Sequence, residues 1–133
     1  WDEMLDFEGD TAPYLMYTYA RAKSILQKAN FVSTEQNNLD FSLLTDADEF
    51  GLIKNMYQYP EALIQAAEEF EPSILLRKIS QLARNFNRFY HNTSILKTED
   101  AALRQARLGL VFAVSVVIKN GLKLVGINPV ERM

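Results

Sequence analysis

Tyr17 and Arg21 stand one helical turn apart in the opening run Gly9-Asp10-Thr11-Ala12-Pro13-Tyr14-Leu15-Met16-Tyr17-Thr18-Tyr19-Ala20-Arg21. An aromatic ring and a guanidinium four residues apart on a helix share a face. Such a pair suits recognition: the ring can stack on an unpaired nucleobase, and the guanidinium can donate to acceptors on a base edge. The same spacing also describes a half-buried tyrosine beside a surface arginine, the commoner arrangement. A second cluster, Asn85-Phe86-Asn87-Arg88-Phe89-Tyr90, places Phe86 and Tyr90 four apart with Arg84 and Arg88 close by. Aromatics interleaved with arginines suit single-stranded RNA, where stacking is worth roughly 1–3 kcal/mol per base. The competing reading is a plain core. It is the expectation for Phe89, whereas Phe86 and Tyr90 are expected to line a pocket at the edge of the fold.

Other chemistries find little support. There is no cysteine, so disulfides and thiolate metal sites are excluded, which is compatible with a reducing compartment. A single histidine, His91, has no acid or nucleophilic partner in the pattern and reads as a polar helix-end residue. Asp46, Asp48 and Glu49 fit no cation loop. No glycine-rich phosphate loop is present. The expectation is a chain with no catalytic residue and no metal.

These residues must be positioned by helices. Asp10 or Thr11 can cap a first helix running to about Asn30, with Pro13 in its first turn where a missing N–H costs nothing. Leu15, Tyr19, Ala22, Leu26 and Ala29 make its buried stripe, and Tyr17, Arg21, Ser24 and Lys28 lie on another face. Residues 31–44 read as a loop rich in Asn, Ser and Thr. Thr45 or Asp46 can cap a second helix, which Pro60 is expected to end while starting a third, to about Phe70. Pro72 opens a fourth helix to about His91, with Leu75, Ile79, Leu82, Phe86 and Phe89 as its stripe. Thr98 can cap a fifth, with the seam Leu103, Leu110, Val114, Val117, Gly121 and Leu124, closed by Gly126 and Pro129. Nothing alternates with period two, so the expected fold is all-α, an antiparallel bundle of about five helices.

A length of 133 residues fits one domain with a real core. Residues 1–10 read as a junction and 127–133 as a tail. The start at Trp1 rather than Met suggests a piece of something longer. The longest apolar run, Leu108 to Ile118, is shorter than the roughly 20 residues of a membrane span, so a core helix and no membrane are expected. Net charge is −3, yet it is unevenly spread: residues 1–76 carry 4 basic and 14 acidic side chains, residues 77–133 carry 10 basic and 3 acidic. A basic half can be the footprint of a polyanion or simply a solvated helix surface.

The opening run and the closing Lys119-Asn120-Gly121-Leu122-Lys123-Leu124-Val125-Gly126-Ile127 with Glu131-Arg132-Met133 resemble the C-terminal anticodon-binding (DALR) domains of arginyl-tRNA synthetases. Asp100-Ala101-Ala102-Leu103-Arg104 resembles the naming motif with one residue inserted, followed by Ala106-Arg107-Leu108. Met16 and Tyr19 stand where the family frequently has Gln and His. The resemblance implies a helical bundle that binds the anticodon loop of arginine tRNAs in a cytoplasmic enzyme. It implies that Tyr17, Arg21, Phe86, Tyr90 and Met133 line the anticodon site. Lys23, Lys28, Arg84, Arg88 and Lys119 are candidate phosphate contacts. ATP and Mg²⁺ would serve the parent enzyme's catalytic domain, a partner in the same chain, and no DNA is implied. The alternatives are a helical protein-interaction domain, favoured by the acidic first half, and the related domain of another class I synthetase such as the cysteinyl enzyme.

Overall fold

The computed structural model describes residues 11–35 and 38–129, so the 1–10 junction and the end of the tail lie outside the described residues. Four helices carry the fold: α1 Thr11–Lys28, α2 Ala47–Glu69, α3 Pro72–Asn92 and α4 Ala101–Leu124. Short 3₁₀ turns at Ser33–Glu35, Phe41–Leu43 and Ile95–Lys97 punctuate the connections. There is no strand among the described residues. The all-α expectation holds, with four helices among the described residues where about five were expected.

The difference is Pro60. It sits inside α2, which continues through it. Proline removes one rung of the hydrogen-bond ladder and normally breaks a helix. Here its ring is on the exposed side, while Leu52, Asn55 and Ala66 on both sides of it are buried. The most extensive helix–helix contact in the molecule, α2 against α3, holds the two halves in line. Tertiary packing overrides local propensity.

Helix ends follow local chemistry. Asp46 caps α2, and its N–H donates to Glu49 Oε1 at 3.0 Å, half of a capping box. Asp100 rather than Thr98 caps α4: its carboxylate accepts from the N–H groups of Ala102 and Leu103 at 2.9 and 3.2 Å. Gly126, at φ 85°, ends α4 as expected, with Ile127 N–H returning to the Leu122 carbonyl at 2.8 Å. Asn30, at φ 53°, ends α1 in the same way.

The core combines Leu15, Tyr19 and Ile25 of α1 with Ile79, Leu82 and Phe89 of α3 and Leu108, Val114 and Ile118 of α4. The expected stripes of the first and Pro72 helices are buried or packed against this core. Leu124 leaves the expected seam and is 59% exposed. A Cβ on Gly121 would collide with buried Ile79, and one on Gly109 would sit 2.6 Å from Leu39 Cδ1, so both glycines admit close neighbours. By length and composition alone α4, at 24 residues, could cross a membrane, which the shorter run Leu108–Ile118 did not suggest. Ten of its residues are buried in the bundle.

Candidate nucleic-acid interface

The expected Tyr17–Arg21 pair forms, and Tyr90 joins it from α3. The Arg21 guanidinium carbon lies 4.8 Å from the Tyr17 ring centroid and 4.4 Å from that of Tyr90. Both contacts are within cation–π range. Arg21 Nη2 also donates to Tyr17 Oη at 2.8 Å. Tyr17 is 49% and Tyr90 38% exposed, so both rings keep open surface for a ligand.

Asn87 orients the arginine. Its Oδ1 accepts from Arg21 Nη1 at 2.7 Å, while its Nδ2 donates to Tyr14 Oη at 2.9 Å and to Thr18 Oγ1 at 3.1 Å. Thr18 is fully buried and in turn donates to the Tyr14 carbonyl at 2.9 Å. A guanidinium has five N–H donors. Among the described residues two are engaged, by Tyr17 and Asn87, leaving three in a fixed plane. Asn87, Tyr14 and Thr18 were not singled out from sequence. The available signal was spacing: Asn87 and Tyr90 are three apart on α3, as Tyr14, Thr18 and Arg21 are four and three apart on α1.

Phe86 corrects the expectation. It is 0% exposed, in the core with Phe89 at a ring separation of 6.5 Å. A base cannot stack on it. Spacing puts Phe86 and Tyr90 on one side of α3 but does not fix how the helix is rotated into the bundle. Met133 lies outside the described residues. Tyr19 lies in the core, and Met16 is partly buried against the core cluster.

The basic residues divide. Lys28 is exposed and lines a cleft of about 330 Å³ that also includes Tyr90, His91 and Lys97. Arg84 and Arg88 are exposed, but at about 100° per residue they project from α3 roughly 120° and 160° around its axis from Tyr90. Lys119 is partly buried on α4, and partly buried Lys23 has an interaction of its own. Among the described residues no three His, Asp or Glu side chains gather as a metal site.

The Asp100–Leu108 segment builds structure instead of the cradle. Arg107 Nε donates to Glu49 Oε2 at 2.8 Å, its Nη1 to Thr98 Oγ1 at 3.1 Å, and its Nη2 lies 3.5 Å from Asp46 Oδ2. Arg104 donates to the Thr98 carbonyl at 3.1 Å. Together these tie the first turns of α2 and α4.

The family model for the DALR anticodon binding domain matches residues 15–133. Arginine–tRNA ligases of Halothermothrix orenii and Clostridium acetobutylicum are 49% and 47% identical over all 133 residues, which cover 23% of each of those proteins. The arginyl-tRNA synthetase of Thermus thermophilus superposes with a TM-score of 0.82 at 36% identity, covering all of this chain and 23% of that one. The chain thus spans about a quarter of the length of the relatives it matches.

Proposed function

The chain belongs to the DALR anticodon-binding domain family, and from that premise we propose that it holds the anticodon loop of arginine tRNAs for a cytoplasmic arginine–tRNA ligase. The observation that carries the proposal is Arg21 fixed between two half-open tyrosine rings, with three donors unspent among the described residues. All arginine codons share a middle G, so all arginine anticodons have a middle C. Cytosine presents O2 and N3 as acceptors, a match for a forked donor. Tyr17 and Tyr90 would hold splayed bases by stacking, which tolerates a variable first anticodon base. Exposed lysines and arginines would fix register on phosphates without reading sequence.

Aminoacylation itself belongs, in this reading, to the longer protein and its catalytic domain. ATP and Mg²⁺ would serve that catalytic domain. Similarity to arginine–tRNA ligases favours arginine over the cysteine enzyme, and the bare protein-interaction reading leaves the Arg21 cradle without a task.

Binding of a stem-loop carrying an arginine anticodon tests this. The parent chain should prefer middle C over middle U. Arg21→Ala should erase most of that preference. Equal binding of both loops by the parent chain would remove Arg21 as the reader.

A further inference from the structure

The cleft beside Tyr90 has its own chemistry. It lies between the end of α1 and the 3₁₀ turn that follows α3, and it is lined by Lys28, Lys97, His91 and Ser94 over Ile25. Among the described residues no carboxylate lines it, whereas the groove between α2 and α3 presents Glu61 and Glu68 beside Arg77 and Lys78. Its volume of about 330 Å³ is at the small end of ligand pockets. Tyr90 belongs to both sites: its ring faces the Arg21 guanidinium and also lines this cleft. His91 packs edge-on against it at 5.6 Å.

We infer that this cleft is a second nucleotide subsite, taking the unpaired nucleotide next to the one at Arg21, with its phosphate between Lys28 and Lys97. Two cations with no facing acid among the described residues select an anion. The apolar floor and the Tyr90–His91 ring pair suit a base, and the Ser94 hydroxyl suits a ribose. The shared ring makes the two nucleotides neighbours on one strand, so the cleft extends the stretch of loop the domain grips. It contributes affinity and register, not the choice of middle base.

This rests on the anticodon-loop reading, and the experiment separates the two. Binding of middle-C and middle-U stem-loops is measured across a salt series for the parent chain, for the double variant Lys28→Ala/Lys97→Ala, and for Arg21→Ala. The double variant should weaken both loops alike and flatten the dependence of log K on log salt by about 0.7, the slope of one single-strand phosphate. It should keep the preference for C, which only Arg21→Ala removes. Loops made abasic on either side of the middle base should bind the parent chain less well for one of the two positions, by about 5- to 150-fold. An unchanged salt slope in the double variant, or abasic loops that bind as well as intact ones, overturns the cleft. Loss of the C preference in the parent chain overturns the anticodon reading instead.

Discussion

Asn87 and Arg21 meet across two helices through a 2.7 Å hydrogen bond. That one contact turns a surface arginine into an oriented one. Asn87 is itself held by Tyr14 and Thr18, so the orientation originates on the same helix that carries Arg21. A ligand meets a donor fork already in place, and little side-chain entropy remains to be lost on docking.

Asn87→Ala should therefore do two things. It takes the Asn87 donor away from the Tyr14 and Thr18 hydroxyls, and stability should fall by about 1–3 kcal/mol, read from the denaturant midpoint. It also frees Arg21, and affinity for the middle-C stem-loop should drop about tenfold or more, comparable to one hydrogen bond to a charged group. Unaltered affinity in a folded variant would show that the arginine needs no anchor.

Stacking on Tyr90 makes a separable prediction. Tyr90→Ala should cost about 1–3 kcal/mol of stem-loop affinity, while Tyr90→Phe keeps the ring and most of the binding. Both variants should unfold near the parent, because the residue is 38% exposed. Equal losses in Phe and Ala would point to the hydroxyl and away from the ring.

Glu49 is 1% exposed and ion-paired to Arg107 at 2.8 Å. Removing one partner of such a pair leaves the other uncompensated. Glu49→Ala should destabilise the chain by about 3–5 kcal/mol in urea or thermal unfolding. Below the new melting range its stem-loop affinity should match the parent's. A loss under about 1 kcal/mol would mean that solvent screens this pair as it does surface pairs.

Tyr59 supplies a pH signature. Its hydroxyl is buried without a hydrogen-bond partner among the described residues, and burial raises its pKa above 10.0. The folded chain then keeps a proton that the unfolded chain releases. This contribution is whole below pH 10 and is lost as the pH climbs past it. Tyr59→Phe should gain up to about 1 kcal/mol at neutral pH. Its stability should also fall less steeply than the parent's as the pH rises above 10. Identical alkaline curves would contradict this.

The stripes of α1 and α3 were legible because burial repeats at helical spacing, and the glycine end of α4 because only a left-handed residue closes it that way. Tyr17 and Arg21 were legible as a pair because one helix carries both. Tyr90 was legible as an edge aromatic in the Asn85–Tyr90 cluster but not as a partner of Arg21, since no local rule says which turn of a distant helix will face that arginine. Asn87 stayed hidden for the same reason: its partners are all on α1. Phe86 was misplaced because spacing gives relative angles and not rotation into the core. Pro60 was misread because its cost is local and what offsets it, packing of α2 along α3, is not. Asp100 outcompeted Thr98 by reaching two amides at once.

Phe86 lies one turn before Tyr90, sealed inside, while Tyr90 looks outward. One stretch of backbone thus serves as both foundation and fingertip. Any attempt to retarget this domain to another anticodon by redesigning that turn disturbs the keel along with the grip, so a variant that stops binding RNA has to be shown still folded before its silence counts as a change of taste. The freer ground for redesign is α1, where Tyr17 and Lys28 can be exchanged without touching what lies beneath.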